Sequence, residues 1–135
     1  MPTPPTLVYV EDDPSSIKIM KLIVENVMKI PSLTIFQGSK DFPEKINNLK
    51  EPPTIFLLDI HIAPYDGFEM LSILRADKRF KKSKIIAVTA SVMGEEVDQL
   101  KYSGFDGAIS KPLNISTFPD LIARVVKGEN VWFIS

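Results

Sequence analysis

The chain has 135 residues, 44% of them hydrophobic, and its 16 lysines and arginines against 17 aspartates and glutamates leave a formal net charge of -1. This composition is typical of one globular domain with a sizeable core, because a chain near this length buries roughly two-thirds of the surface that its unfolded form exposes. Without cysteine and with a single histidine, the sequence excludes a disulfide framework, a thiolate zinc site, a cysteine nucleophile and a multi-histidine metal site.

Charge and hydropathy also indicate which large partners and which cellular location we expect for the protein. The near-neutral charge offers no field that would steer the chain onto nucleic acid or an acidic membrane surface, so we predict no direct nucleic-acid or membrane binding. The proline-rich start, residues 1–6, lacks the apolar core of a signal peptide, and no apolar run is long enough to span a bilayer. We therefore expect a cytoplasmic protein with a flexible leader at residues 1–6.

The predicted elements alternate between strands and helices along the chain. Short apolar runs predict five strands, at residues 7–10, 33–36, 54–58, 84–88 and 106–110. Apolar residues at helical spacing predict five helices, at residues 14–29, 41–49, 66–74, 92–102 and 116–127. Parallel strands need helical crossovers, so this alternation predicts an α/β fold with a doubly wound parallel sheet. Chemistry in such a sheet gathers where the strands end.

Several residues mark the predicted helix ends. Asp13 before Pro14 is typical of an N-cap and a first helical residue, which explains Asp13 without a role as a metal ligand. Gly104 predicts the C-terminal end of the fourth helix. Two capping boxes are predicted, Asp41 with Glu44 and Asp66 with Glu69.

Polar side chains follow the predicted strands at the carboxyl edge of the sheet. They are Glu11 and Asp12 after the first strand, Asp59 after the third, Thr89 after the fourth and Lys111 after the fifth. Carboxylates that converge in one cleft repel each other unless a cation neutralises them, and oxygen ligands with open water positions suit Mg²⁺ or Mn²⁺. The pattern predicts phosphoryl chemistry, with Asp59 as the nucleophile and Lys111 and Thr89 as compensating groups.

Five motifs make the sequence similar to a known family. They are VEDDP at 10–14, LLDI at 57–60, YDGFEML at 65–71, VTA at 88–90 and SKPL at 110–113. In this order the motifs resemble the receiver domain of bacterial two-component response regulators, of the stand-alone, chemotaxis-response-regulator-like type. The resemblance implies a flavodoxin-like sheet of five strands in the order 2-1-3-4-5 with five helices. It also implies a receiver domain over residues 7–128, followed by a C-terminal tail at 129–135.

The resemblance implies a role for each matching residue. Asp59 matches the phosphoacceptor, Thr89 the switch hydroxyl and Lys111 the lysine that pairs with the phosphoryl oxygen. Asp12 and Glu11 match the acidic pair that holds Mg²⁺ (or Mn²⁺), and Asp59 with the backbone carbonyl of His61 completes the protein ligands. The Lys111–Pro112 peptide bond is expected to be cis.

Two features depart from the family pattern. Ala108 stands where the family commonly has an aromatic switch residue, so the signal must be transmitted in another way. The proline usual four residues after the phosphoacceptor is replaced by Ala63, with Pro64 one place later, so a different path is predicted for that loop. His61 and Ser91 occupy positions that in the family tune dephosphorylation.

The function that we predict is signalling rather than catalysis, apart from slow self-dephosphorylation. A sensor histidine kinase or phosphotransfer protein would donate the phosphoryl group to Asp59, and the modified domain would act on a separate downstream protein or through altered self-association as a homodimer. The readout face is expected around the fourth helix, fifth strand and fifth helix. The apolar segment 131–134 is expected to pack back on the domain rather than to dock a partner.

Two alternatives remain at this stage. A receiver-like docking module would not be phosphorylated, although such a module is expected to lack some of the acids that this sequence contains. A Mg²⁺-dependent aspartyl-phosphate hydrolase of the haloacid dehalogenase type would have a second acid two residues after the nucleophile, where this sequence has His61. A flavin- or nucleotide-binding domain is disfavoured, because the acids after the first strand would repel a phosphate.

Overall fold

The computed structural model describes residues 4–90 and 94–133, which form an α/β fold around one parallel sheet. The strands are β1 (Leu7–Glu11), β2 (Leu33–Gln37), β3 (Ile55–Asp59), β4 (Lys84–Thr89), β5 (Gly107–Ser110) and β6 (Val131–Phe133). The helices are α1 (Pro14–Lys21), continued by a π-helical segment (Leu22–Val27), α2 (Phe42–Asn47), α3 (Gly67–Arg75), α4 (Gly94–Ser103) and α5 (Phe118–Val126). A short 3₁₀ turn (Lys78–Phe80) precedes β4.

The predicted fold class is confirmed, and the sheet has one strand more than predicted. The strand order is β2-β1-β3-β4-β5-β6, so the expected order 2-1-3-4-5 is extended by β6 beside β5. β6 runs parallel to β5, with Gly107 opposite Val131 and Ala108 opposite Trp132. Residues 131–133 of the predicted apolar segment 131–134 therefore pack back on the domain by adding a strand to the edge of the sheet, whereas Ile134 lies outside the described residues.

The core consists of two apolar clusters, one on each face of the sheet. Alternate residues of the central strands enter different clusters, as the pleat of a β-strand requires. One cluster joins the sheet to α2, α3 and α4, whereas the other joins it to α1 and α5. Strands β1, β3 and β4 are covered on both sides, which explains why their sequences are nearly continuous apolar runs.

Most of the predicted helix ends are found in the structure. Asp13 accepts a hydrogen bond from the Ser16 amide at 3.0 Å and Pro14 is the first helical residue. The capping box of Asp66 and Glu69 is complete, with both side chains bonded to backbone amides. Gly104 ends α4 with φ +105°, a conformation that favours glycine.

Two expectations about local structure differ from the findings. The capping box at Asp41 was predicted wrongly, because the Asp41 backbone (φ -109°, ψ 34°) is not extended and its side chain makes no capping hydrogen bond. α1 does not continue regularly to residue 29, because its last part widens into the π-helical segment. The predicted start of the fourth helix at Val92 lies outside the described residues.

Within residues 4–90 and 94–133, two peptide bonds before proline are cis. One is Lys111–Pro112, as the family resemblance implied, and the other is Ala63–Pro64 in the loop after β3. Among the described residues, no helix has the length and apolar character needed to cross a membrane.

Candidate functional site

Three carboxylates converge at the carboxyl edge of the sheet. β1 and β3 are parallel neighbours with Val10 opposite Leu58, so the next residues, Glu11 and Asp59, end adjacent strands. One carboxylate oxygen from each of Glu11, Asp12 and Asp59 lies within 4.8 Å of the others. Glu11 and Asp59 are buried whereas Asp12 is exposed, so the cluster opens to solvent on the Asp12 side. The predicted acidic cleft is therefore formed.

Glu11 is held by four hydrogen-bond donors. Its Oε1 accepts from Lys111 Nζ at 2.7 Å and from the Tyr9 hydroxyl at 2.7 Å. Its Oε2 accepts from the backbone amides of Asp12 and Asp13, at 3.2 and 3.4 Å. Charge-assisted hydrogen bonds are the strong ones, so a fully buried carboxylate can persist here as an anion.

Lys111 is placed between the two buried acids. Its Nζ lies 2.7 Å from Glu11 Oε1 and 3.4 Å from Asp59 Oδ2. The backbone amide of Lys111 donates to the Thr89 carbonyl at 2.9 Å, which ties the end of β5 to the end of β4. The lysine thus reaches the nucleophile candidate from the strand end that the sequence predicted.

The loop after β3 also binds Asp59. The backbone amide of His61 donates to Asp59 Oδ1 at 3.1 Å, which leaves Oδ2 as the oxygen nearest Lys111. The imidazole ring of His61 is 63% exposed, and its Nε2 lies 3.8 Å from Glu96 Oε2 on α4. The ring of His61 therefore faces α4, whereas its backbone amide contacts Asp59.

The two buried acids differ in pKa. Burial and, after it, the neighbouring Glu11 raise the pKa of Asp59 to about 6 against the opposing effect of Lys111. Burial also acts to raise the pKa of Glu11, but hydrogen bonds that Asp59 in its protonated form, Lys111 and Tyr9 donate outweigh burial, so the pKa of Glu11 is lowered. Lys111 loses charge stabilisation by burial, yet its contacts with Glu11 and Asp59 raise its pKa. Near neutral pH the two buried acids are therefore mostly carboxylates, and Lys111 is an ammonium group.

Thr89 lies at the end of β4, buried beside the same edge of the sheet. It lines a cavity of about 250 Å³ together with His61, Phe68 and Glu96, among other residues. This cavity separates the end of β4 from α4, so it provides room for a movement of the Thr89 side chain. Ser91, which the resemblance associates with dephosphorylation, lies outside the described residues.

The sequence analysis did not identify Tyr9 as part of the site. Tyr9 is buried in the middle of β1, and the apolar character of that strand suggested an ordinary core residue. The available signal was its spacing, because residues two apart on a strand project from the same face. Tyr9 is therefore on the face of Glu11, and its hydroxyl reaches the carboxylate.

The chemistry of the three acids fits a hard divalent cation. All three offer carboxylate oxygens, the ligand type that Mg²⁺ prefers, and one of them is exposed, which leaves space for bound water. Asp12 and Asp59 would hold the ion and Glu11 would hold it directly or through water. Burial first, and then the neighbouring Glu11, raise the pKa of Asp59 against the effect of Lys111, and a bound cation would oppose both causes.

Comparison with known proteins defines the class of this protein. A family model described as the response regulator receiver domain matches residues 7–123. The chain therefore belongs to the receiver domain family of two-component phosphorelay signalling, as its five motifs implied. Receiver domains are signalling domains rather than conventional enzymes, and the family normally binds Mg²⁺ through acidic residues of the kind found here.

Individual relatives are distant. Stress response regulator protein 1 of Candida tropicalis is 28% identical over 107 residues, which are 79% of this chain and 40% of that protein. Hybrid signal transduction histidine kinase D of Dictyostelium discoideum is 34% identical over 85 residues, which are 60% of this chain and 6% of that protein. The chain thus spans less than half the length of these two curated relatives.

Solved structures share the fold. The chemotaxis response regulator CheY4 of Vibrio cholerae has a TM-score of 0.79 against this chain at 19% identity, covering 91% of this chain and 99% of its own. The signal receiver domain of a DNA-binding response regulator from Colwellia psychrerythraea 34H has a TM-score of 0.78 at 20% identity, covering 90% and 98%.

Proposed function

We propose that this protein accepts a phosphoryl group on Asp59 from a sensor histidine kinase or phosphotransfer protein, in a Mg²⁺-dependent reaction. The observation that carries the proposal is the meeting of three carboxylates with Lys111, which contacts both buried acids. Membership of the receiver family supports it. Residues 7–128 are proposed as the receiver unit.

The proposed step is an in-line phosphoryl transfer. An Asp59 carboxylate oxygen forms a bond to phosphorus while the bond between phosphorus and the donor's imidazole nitrogen breaks, and that nitrogen keeps the electron pair and takes a proton. Asp59 Oδ2 is the candidate nucleophile, because Oδ1 accepts the His61 amide hydrogen bond. With a pKa of about 6, Asp59 is mostly the reactive carboxylate at neutral pH.

Charge compensation is the main task of the surrounding residues. Phosphoryl transfer needs positive charge and hydrogen-bond donors around the equatorial oxygens. Lys111 is within 3.4 Å of Asp59 and can turn to a phosphoryl oxygen. Thr89 would donate from the end of β4. A bound Mg²⁺, held by Asp12, Asp59, Glu11 and the His61 carbonyl, would supply further positive charge to the phosphoryl oxygens.

The output is proposed to begin at Thr89. A phosphoaspartate adds about -1.5 to -2 charge and strong acceptor oxygens, which favour a turn of the Thr89 hydroxyl toward Asp59. The cavity between Thr89 and α4 supports such a rearrangement, since packed side chains have little other room to move. The change would reach a separate downstream protein or alter self-association, and slow hydrolysis of the phosphoaspartate would end it.

The test is the intact mass of the protein after incubation with Mg²⁺ and acetyl phosphate. We expect a gain of one phosphoryl group, which is lost in Asp59→Asn and on chelation of the metal. Asp13→Asn is the matched control, because Asp13 is an adjacent acid whose capping role asparagine can also fill. This variant should be phosphorylated like the wild type.

Two results would contradict the proposal. Phosphorylation of Asp59→Asn would place the acceptor elsewhere. Absence of phosphorylation by acetyl phosphate and by a panel of sensor kinases, in a protein that binds Mg²⁺, would favour the docking-module alternative.

A further inference from the structure

Tyr9 carries a hydroxyl group into an apolar cluster of the core, where a phenylalanine ring would pack equally well. Its side chain is fully buried in the middle of β1. Phenylalanine would fill nearly the same volume, and a buried hydroxyl is costly unless it has a hydrogen-bond partner. Here the partner is the functional acid Glu11, whose Oε1 accepts from the Tyr9 hydroxyl at 2.7 Å.

Tyr9 and Lys111 share one acceptor atom. Both donate to Glu11 Oε1, and the distances are equal at 2.7 Å. Lys111 also lies 3.4 Å from Asp59, so it is the donor that has a second acid within reach. Tyr9 is fixed by its strand and can serve Glu11 alone. The two donors thus differ in the acids within their reach, although they bind the same oxygen.

We propose that Tyr9 is a positioning residue whose hydroxyl holds Glu11 in place when Lys111 turns from Glu11 to the phosphorylated Asp59. The inference rests on the proposed function, because that function is what draws Lys111 away. If Tyr9 were absent, the departure of Lys111 would leave Oε1 of a fully buried carboxylate without a donor. Such an unsatisfied charged group is strongly destabilising.

The length of the glutamate side chain explains why Glu11 benefits from a hydrogen bond to each of its two carboxylate oxygens. Its side chain has one more rotatable bond than aspartate, so its carboxylate is harder to fix in one orientation. The backbone amides of Asp12 and Asp13 bind Oε2 only, at 3.2 and 3.4 Å. The Tyr9 hydroxyl fixes the other oxygen. Partners of this kind behind a metal ligand maintain the ligand's orientation toward the ion.

The test compares Tyr9→Phe with Tyr102→Phe, which removes the same atom from a side chain that is 95% exposed. Calorimetric titration with Mg²⁺, without any phosphodonor, should show about tenfold weaker binding for Tyr9→Phe, since loss of a group behind a metal ligand typically costs this much. The rate of phosphorylation by acetyl phosphate at saturating Mg²⁺ should fall about fivefold or more, because a hydrogen bond to a charged group is lost. Tyr102→Phe should match the wild type in both measurements.

A second pair of variants separates positioning from packing. In a Glu11→Asp background the carboxylate is one methylene further from the hydroxyl, so adding Tyr9→Phe should change Mg²⁺ affinity by less than about twofold. If Tyr9→Phe is equally harmful in both backgrounds, its effect is one of packing and the proposal is overturned. The same holds if Tyr9→Phe binds Mg²⁺ and is phosphorylated like Tyr102→Phe.

A measurement on the wild type covers the case in which Tyr9→Phe does not fold. The hydroxyl proton of Tyr9 should give a slowly exchanging NMR resonance that persists after phosphorylation, and its loss on phosphorylation would overturn the proposal. If the wild type takes up no phosphoryl group, the proposed function fails, while the Mg²⁺ titrations still decide whether Tyr9 positions Glu11.

Discussion

Two buried acids face a single lysine at the carboxyl edge of the sheet, and this imbalance of charge affects stability as well as chemistry. Glu11 and Asp59 are nearly inaccessible, and Lys111 contacts both. Burial and the neighbouring Glu11 raise the pKa of Asp59 from 3.8 to about 6. The folded metal-free protein therefore binds the Asp59 proton more tightly than the unfolded chain does.

The sign of the pH dependence follows from this difference. The Asp59 contribution to stability is fully present below about pH 3.8, and it is lost as the pH rises through about 6. At pH 7 the wild type carries the full penalty of ionised Asp59. We expect Asp59→Asn to raise the free energy of unfolding of the metal-free protein by roughly 1–3 kcal/mol at pH 7, and by less at pH 4.

Urea unfolding of chelated protein at several pH values checks this prediction. Asp12→Asn is the control, because Asp12 is the exposed member of the cluster and its change should be nearly neutral. An Asp59→Asn variant that is less stable than the wild type at pH 7 would show that Lys111 fully compensates the charge of Asp59.

Residue type and position along the strands predicted most of the site but not its internal connections. Asp12, Asp59 and Lys111 could be placed because the ends of parallel strands meet at one edge of a sheet. The hydrogen bond of Tyr9 to Glu11 and the shared contact of Lys111 depend on side-chain conformations. No pattern in the sequence specifies which oxygen of Glu11 each donor reaches.

At the scale of elements, the docking of β6 depends on a glycine. A Cβ added to Gly107 would meet the backbone carbonyl oxygen of Val131, because β6 lies against β5 at that point. We expect Gly107→Ala to displace β6 and to lower stability by about 1–3 kcal/mol, the usual cost of overpacking a core. The fluorescence of Trp132, the single tryptophan, should shift to the red as its surroundings become wetter.

Gly94→Ala is the matched control for this prediction. An added Cβ at Gly94 meets no heavy atom of the described residues within 4 Å, so the variant should unfold and fluoresce like the wild type. An unchanged Trp132 spectrum in Gly107→Ala would mean that the edge of the sheet adjusts to the extra methyl group.

Asp106 connects three elements and offers a second prediction at this scale. Its Oδ2 accepts from the Ile85 amide of β4 at 2.8 Å and from Arg75 of α3 at 2.9 Å. Asp106→Ala should cost about 1–3 kcal/mol, since it leaves a backbone amide without its partner. Arg75→Ala should cost less, because its ion pair with Asp106 is partly exposed and solvent screens such pairs. The urea midpoints of the two variants are the measurement. A lower midpoint for Arg75→Ala than for Asp106→Ala would contradict this order of stability.

The sequence predicted five of the six strands that the described residues form and did not predict β6. Five strands were predictable because each is an apolar run followed by a helix, whereas β6 is three residues long and no helix follows it among the described residues. The composition of residues 131–133 is equally compatible with an apolar loop that packs on the domain and with an added strand, so it could not predict β6. The failed capping box at Asp41 has a similar cause, because the sequence motif does not fix the backbone angles that a cap requires.

For the whole molecule, the carboxyl edge of the sheet should link metal binding to global stability. A ligand that binds only the folded state stabilises it by about 2.7 kcal/mol at a hundred times its dissociation constant. We expect Mg²⁺ to raise the melting temperature of the wild type by several degrees and to have little effect on Asp12→Asn, which loses a ligand at the open side of the cluster. Calorimetric melting with increasing Mg²⁺ is the measurement, and Asp13→Asn should respond like the wild type. An equal response of Asp12→Asn would place the ion elsewhere.

β6 has a further consequence for how the protein behaves in a crowded solution. The edge of a sheet presents unpaired backbone groups that can template pairing with other chains, and short edge strands reduce that risk. With β6 in place, Gly107, Ala108 and Ile109 of β5 have partners in β6, and within the described residues the sheet ends on that side in a strand of three residues. We therefore expect residues 131–133 to shield the edge of β5, so that loss of this segment makes the protein prone to assemble through that edge.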